Sequence, residues 1–439
     1  MKKYVLILTT ILLPMMATAQ EIPAKYIFTL EECLQYAMDW NYNRQSLKLA
    51  EESSQVTYRQ AKDERLPALN ASLNENFTNS SKNTVNGITS GGSSIVGSYG
   101  VNASLTLYQG GAIKNTIEQS RLQMEQSAFQ TSQYENELTI QILQSFLSVL
   151  GNEELMKYQS SVMEASREQL FQGKEQFRLG SILESDYLLF EAQYANDQNN
   201  IVDTEIARNN NLLTLKSLLS MDPATDLQIV YPDTSAIVGM SLLPKQIDVT
   251  ERALNYLPEI KISQYNVDIA GVGVKLSKAG YYPTISLGAG LGTGHTDFSN
   301  FGTQLNNRLN EQIGITVSIP IFDRNRTKSN VTKSKISLQQ AELSQMQTEL
   351  NICQTVTQEY QDVVSAYNKY LVTDIRQNAS LKSFEAYRVQ FNAGAITPVE
   401  LLQQQNNYIS ALNDYIQSKY KFMLKRKILD VYMGEAVKF

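Results

Sequence analysis

Histidine and cysteine are the usual carriers of metal and nucleophilic chemistry, and this 439-residue chain has one histidine and two cysteines. A structural zinc site takes four His/Cys ligands, and a His-based triad needs its imidazole beside a nucleophile. His295 lies in Gly-Thr-Gly-His-Thr, a run of turn residues, and is expected to be a solvated loop residue. Cys33 and Cys353 have no local disulfide framework around them. They read as small buried hydrophobes, with a disulfide as the alternative. No catalytic residue, metal ligand or cofactor-binding residue is predicted, so the chain is not expected to be an enzyme and its function has to come from shape.

Hydrophobic residues make up 42% of the chain and charged ones 19%. The usual charged share is about 25%, and here Gln, Asn and Ser replace the difference. A net charge of −6, from 38 Lys+Arg against 44 Asp+Glu, argues against a nucleic-acid surface, which needs clustered positive charge. At the N-terminus Lys2 and Lys3 precede an apolar stretch from Tyr4 to Met16 and the small-residue run Ala17-Thr18-Ala19. These are the parts of a secretory signal (residues 1–19) cut after Ala19, so the mature chain is expected to leave the cytoplasm. No cysteine follows the cut to carry a lipid. No later run reaches the roughly 18 apolar residues of a spanning helix, so any membrane contact has to be made by strands or surface helices.

The sequence repeats itself. Arg65-Leu66-Pro67-Ala68-Leu69 resembles Tyr281-Tyr282-Pro283-Thr284-Ile285, and Leu105-Thr106-Leu107-Tyr108 resembles Ile319-Pro320-Ile321-Phe322. Phe177-Arg178-Leu179-Gly180-Ser181-Ile182 likewise matches Phe391-Asn392-Ala393-Gly394-Ala395-Ile396. A first repeat over 20–221, a proline-bearing linker over 222–247, a second repeat over 248–433 and a short tail over 434–439 follow from this. Each repeat reads as helix, strand, polar loop, strand, long helix, Gly-containing turn and helix. The predicted helices are Thr29 to Arg65, Gly111 to Arg178 and Glu184 to Met221, then Asp248 to Gly280, Asp323 to Phe391 and Pro398 to Met433. The middle helix of each repeat is about 100 Å long and the flanking ones about 50–55 Å. Two half-length helices stacked beside one continuous partner suit a rod or tube. Leu188, Ala195 and Val202, and Leu402, Ile409 and Ile416, recur every seven residues as coiled-coil seams, with Ala192, Ile206 and Leu412 between them.

The strands alternate. Leu69, Ala71, Leu73 and Phe77 oppose Asn70, Ser72, Asn74 and Asn76, and Ile313, Ile315, Val317 and Ile319 oppose Gly314, Thr316 and Ser318. Segments of about 10 such residues are the signature of outer-membrane barrel strands. Tyr108, Tyr281, Tyr282 and Phe322 mark one expected rim, and Phe77 and Tyr99 the other. The segments Asn79 to Ser98 and Thr293 to Asn310 read as surface loops. Four strands leave open edges, which lipid does not tolerate, so chains are expected to pool strands.

This order of elements, with Leu-Tyr-Gln-Gly-Gly at 107–111 leaving a strand and paired glycine turns at 180 and 394, resembles the TolC family of outer-membrane efflux channels. The resemblance implies an α+β membrane protein: a homotrimer whose four strands per chain complete a 12-stranded barrel in outer-membrane lipid. Long antiparallel coiled-coil helices then form a periplasmic α-barrel. It also implies partners, a periplasmic adaptor protein and an inner-membrane pump, and the role of exit duct in an efflux or type I export system. By the same resemblance the adaptor contacts are Gly180, Ser181 and Ile182 with Gly394, Ala395 and Ile396. The periplasmic aperture takes Asp186, Glu400 and Gln403, with Phe391 and Ile396 where the family uses polar gate residues and Arg178 as a substitute. Glycines that end helices, and acids that complement a helix N-terminus, also account for these positions. The alternative function is a structural or adhesive coiled-coil fibre anchored in the outer membrane.

Overall fold

The computed structural model describes residues 25–85, 88–231, 243–297 and 299–437; the expected signal segment, residues 232–242 of the expected linker and Phe439 lie outside these. The chain divides into two compact units, one of residues 1–37, 144–236 and 438–439, the other of 38–143 and 237–437. In chain order the elements are β1 (Lys25–Phe28), α1 (Leu30–Trp40), α2 (Tyr42–Asp63), β2 (Ala68–Val85) and β3 (Ile88–Gln109). Next come α3 (Ala112–Arg178), α4 (Glu184–Leu218), β4 (Asp226–Ile229), α5 (Gln246–Tyr256) and α6 (Pro258–Ala279). The last are β5 (Thr284–His295), α7 (Phe301–Asn307), β6 (Asn310–Ser318), α8 (Arg326–Asn392) and α9 (Pro398–Tyr432). The helices α3 and α8 are both 67 residues long, and α4 and α9 are both 35.

The expected single helix from Thr29 to Arg65 is two helices. Asn41 separates them: its side chain caps α2 by accepting from the Arg44 backbone N–H at 2.9 Å, and Tyr134 donates to the same oxygen at 3.1 Å. The expected helix from Asp248 to Gly280 is broken at Leu257, whose ψ of 129° is extended. Pro258 enforces this by crowding the residue before it out of the helical region, then starts α6 at a position where its missing N–H costs nothing.

In the first unit β1 and β4 form a two-stranded parallel sheet, an element the sequence reading assigned to a helix lead-in and a linker. Ser145 on α3 donates to the Asn211 carbonyl on α4 at 2.8 Å. Further along the same pair Arg208 grips Glu153 at 2.8 Å, and Tyr231 donates to the other oxygen of that carboxylate at 2.6 Å. Cys33 is buried here, and burial, with the charge of Glu32 adding to it, pushes its thiol up to about 12. A thiol held protonated in this way is inert.

In the second unit α5, α8 and α9 enclose a core of Val249, Ala253, Leu257, Val356, Val363, Phe422 and Leu429. Lys425 bridges Glu359 and Asp362 beside it at 2.9 and 2.8 Å. Cys353, expected to be buried, is half-buried on α8.

The second unit also carries an antiparallel four-stranded sheet in the order β2-β3-β5-β6. Its register aligns faces across all four strands: Leu69, Ala103, Ala289 and Ile313 form one row, and Asn70, Asn102, Gly290 and Gln312 the adjacent one. Because side chains alternate, one face of the whole sheet is apolar and the other carries amides, hydroxyls and glycines. A bulge between Thr106 and Tyr108 shifts β3 by one residue, so that Tyr108 stands beside Ile285 on the apolar face.

The span expected as a loop from Asn79 to Ser98 is largely strand: β2 and β3 stay paired out to Val85 and Ile88, past the end of β5. Its Ser, Asn and Thr residues hide a ladder that needs only backbone partners. His295 is also not solvated. It ends β5, and its side chain is fully buried between Tyr99 and Phe301.

Candidate functional site

Two helical turns hold the residues singled out by sequence. In the first unit α3 ends at Arg178 and α4 begins at Glu184. Gly180 takes φ = 74°, its N–H reaches the Phe177 carbonyl at 2.9 Å, and the Ser181 N–H reaches the Gln176 carbonyl at 2.8 Å. In the second unit Gly394 takes φ = 71°, and the equivalent bonds run from Gly394 to Phe391 and from Ala395 to Gln390, both at 2.9 Å. Both are Schellman turns, in which a left-handed residue closes the helix and satisfies its last carbonyls. An added Cβ would meet nothing within 4 Å at either glycine, so both are required for their φ and not for space.

The first turn brings together Arg178, Gly180, Ser181, Ile182 and Asp186. Arg178 is exposed and spends its guanidinium on Glu175, one turn back, at 2.8 Å. Ser181 is exposed, Ile182 and Asp186 are half-buried, and Asp186 lies in the first turn of α4. Across this turn the rings of Phe177 and Tyr187 stack at 5.7 Å with an interplanar angle of 11°, a contact the sequence reading did not find.

The second turn brings together Phe391, Gly394, Ala395, Ile396, Glu400 and Gln403. Phe391 and Ile396 are half-buried; Ala395, Glu400 and Gln403 are exposed. Thr397 and Glu400 form a capping box: the Glu400 carboxylate accepts from the Thr397 N–H at 2.8 Å and its hydroxyl at 2.9 Å, while the Glu400 N–H returns a bond to the hydroxyl at 3.3 Å. These donors, the backbone one first, hold the Glu400 carboxyl below the usual carboxylate range. The signature Thr-x-x-Glu at 397–400 was present in the sequence. Gln403 makes a long contact, 3.4 Å, with Asn407.

The seams behind the turns differ. On α9 the predicted Leu402, Leu412 and Ile416 are buried and Ile409 is half-buried. On α4 the predicted seam is exposed in the single chain: Leu188 and Val202 are 49% and 51% exposed, and Ala192, Ala195 and Ile206 are exposed as well. The buried stripe is Phe190, Gln193, Asp197 and Thr204. Phe190 seats over Gly173 of α3, where a Cβ would come within 2.7 Å of its ring. Asp197, 3% exposed, accepts from the Ser166 hydroxyl of α3 and from Gln193 at 3.0 Å. An apolar-pattern search misses a seam whose centre is polar.

Among the described residues no cluster of three or more His, Cys, Asp or Glu could hold a metal ion, and no helix is long and apolar enough to cross a membrane. One chain thus carries two helical hairpins and an antiparallel sheet with an exposed apolar face. The chain belongs to the outer membrane efflux protein family, whose model matches residues 40–220 and 249–435. It is 22% identical over 340 residues to outer membrane protein TolC of Escherichia coli, covering 73% of this chain and 65% of that one. It is also 22% identical over 278 residues to the toxin and drug export protein A of Aggregatibacter actinomycetemcomitans, covering 62% of this chain and 57% of that one. The match thus spans less than two thirds of each relative's length. Among solved structures, CusC shares the fold with a TM-score of 0.79 at 16% identity, over 93% of this chain and 92% of that one.

Proposed function

We propose that three copies of this chain assemble into an outer-membrane exit duct, the outlet of a tripartite efflux or type I export system. The observation that carries this reading is the sheet. Leu73 and Ile313 on its apolar face are each 79% exposed, and β2 and β6 end it as open edges. An apolar face of this kind suits lipid, and open edges in lipid leave backbone groups unpaired at several kcal/mol each unless another copy supplies the next strand. Three copies supply 12 strands, within the range of outer-membrane barrels. Exposed heptad stripes support self-association: Tyr42, Leu49 and Val56 on α2, and Ile336, Leu343 and Leu350 on α8.

In this duct the helical hairpins extend into the periplasm. The turns at Gly180, Ser181 and Ile182 and at Gly394, Ala395 and Ile396 meet an adaptor protein bound to an inner-membrane pump, and Asp186 and Glu400 line the aperture. Cargo passes from periplasm to exterior without catalysis; toxin and drug export by one relative fits a passive outlet whose pump selects. A fibre needs no sheet with one apolar and one polar face, which is why the duct is favoured over an anchored coiled-coil fibre.

The test is the detergent-extracted chain, weighed by mass photometry and then inserted into planar bilayers. Three-chain particles that conduct are expected. A stable monomer overturns the assembly, and trimers that never conduct favour the fibre.

A further inference from the structure

The buried imidazole of His295 sits in a row across three strands. His295 lies opposite Gly97 of β3, and Gly97 lies opposite Glu75 of β2. A Cβ on Gly97 would fall 2.3 Å from Nε2, so the ring occupies the space that this glycine leaves. It thereby reaches Glu75 two strands away, with Nε2 3.0 Å from Oε1. The other ring nitrogen, Nδ1, stands 3.1 Å from the Asp297 carbonyl oxygen.

A carbonyl oxygen and a carboxylate are both acceptors, and a neutral imidazole has one N–H to offer them. The Tyr99 hydroxyl already donates to the same Glu75 oxygen, which commits that carboxylate to accepting. Only the imidazolium, with two N–H groups, satisfies both neighbours.

The segment after His295 is bonded to itself. Gln304 donates to Asp297 Oδ1 at 2.8 Å and to the Ser299 carbonyl at 2.6 Å, and accepts from the Thr296 N–H at 2.9 Å. Thr293 donates to the Leu305 carbonyl, and Phe301, which opens α7, sets its ring edge-on at 5.0 Å from the imidazole. The titratable and charged groups around the ring are Glu75 from β2, Tyr99 from β3, and Asp297 and Arg308 from the segment itself, Asp297 being held by Ser299 and Gln304 and Arg308 lying near Thr296.

We propose that the His295 imidazolium is a pH-sensitive latch that clasps Thr296, Asp297 and residues 299–308 to the sheet, bonding Glu75 and Asp297 at once. Loss of one ring proton to water breaks one of the two bonds. The protonated form is the one the folded segment binds, so the latch holds while the ring is charged and loosens once rising pH has removed one ring proton. The row lies on the apolar face just past Leu73; that this point meets the exterior rests on the duct reading, whereas the latch itself does not.

The full-length, untagged chain in detergent has one histidine, so a long-range ¹H–¹⁵N spectrum reads a single ring. Both ring nitrogens protonated at about pH 6, with one proton lost by about pH 8.5, is the expected result in the wild type. A neutral ring at the lower pH overturns the proposal. Trypsin cleavage after Arg308, normalised to a peptide of residues 300–312 at the same pH, should rise roughly tenfold over that range, as loss of one charge-assisted bond implies. Glu75→Gln, and Gly97→Ala, whose Cβ would come within 2.5 Å of both His295 Nε2 and Glu75 Oε1 and so force the two apart, should bring the faster cleavage to the lower pH. Equal protection at both pH values in the wild type, or full protection in both variants, overturns the latch. Channel conductance is not read in any of these arms, so failure of the duct reading leaves them intact.

Discussion

Glu400 carries two demands at once. As the carboxylate of a capping box it satisfies the first donors of α9, and in the duct it contributes one of three charges converging on the aperture. Two substitutions separate these roles. Thr397→Ala removes the hydroxyl of the cap and leaves the charge, so it should weaken the start of α9 by about 1 kcal/mol and leave cation preference intact. Glu400→Gln removes the charge and should weaken that preference. Reversal potentials in a salt gradient check both, and equal selectivity in wild type and Glu400→Gln would show the residue to be a cap alone. The pH dependence has a definite sign. The folded-state carboxyl is held low, so the charge survives below the ordinary glutamate value of about 4.3 and is lost only as pH falls through the lower folded-state one. Cation preference should therefore persist to about pH 4.3 and fade below it. At this scale the sequence is legible where a motif is local: Gly180, Gly394 and Thr-x-x-Glu at 397–400 all announce their conformations. It is silent where a contact crosses strands, which is why His295, set among turn residues, reads as solvated although Gly97 and Glu75 bury and bond it from β3 and β2.

Helix lengths and strand alternation follow from periodicity, and the long α3 and α8 end where their glycines require. Periodicity alone does not place a break such as Leu257, which depends on Pro258 excluding one conformation at its neighbour. Nor does it choose between two stripes of the same helix. On α4 the apolar stripe of Leu188 and Val202 is left exposed, and the stripe with Asp197 at its centre packs against α3. Burial pushes the Asp197 carboxyl up, while Ser166 and Gln193 partly oppose the shift. A carboxyl raised in the folded state favours folding in its protonated form, so the α3–α4 pairing should be firmer in acid and weaken as pH rises through the raised value. The cognate position in the second repeat, 214 residues on, is Ala411, so this device belongs to the first hairpin only. Asp197→Asn, which removes the charge and keeps a polar group for Ser166 and Gln193, is expected to stabilise the pairing at neutral pH by on the order of 1 kcal/mol. Hydrogen exchange of α4 amides measures this. Faster exchange near residues 190–204 in the variant would mean that the ionised carboxylate is what holds the seam.

At the scale of the assembled molecule the deciding question is which face of the sheet meets lipid. Sequence alternation distinguishes two faces on each strand, but only the register joins Leu69, Ala103, Ala289 and Ile313 into one surface and Asn70, Asn102, Gly290 and Gln312 into the other. Neighbouring residues of β6 therefore make a matched pair of probes. A lysine on the lipid side of a barrel costs roughly 2–4 kcal/mol near mid-membrane, while one on the lumen side keeps its water and alters the field of the passage. Ile313→Lys should thus reduce trimer yield in outer-membrane fractions about tenfold or more, since each 1.4 kcal/mol is a factor of ten. Gln312→Lys should assemble as the wild type does, and its three added positive charges should move the reversal potential toward anions. Immunoblots of unheated membrane samples read the first effect and bilayer recordings the second. If Gln312→Lys fails to assemble while Ile313→Lys conducts normally, the faces are reversed and the apolar surface lines the passage. If both assemble and neither changes selectivity, the sheet does not form the channel wall, and the open edges of β2 and β6 need another partner than a second copy of this chain.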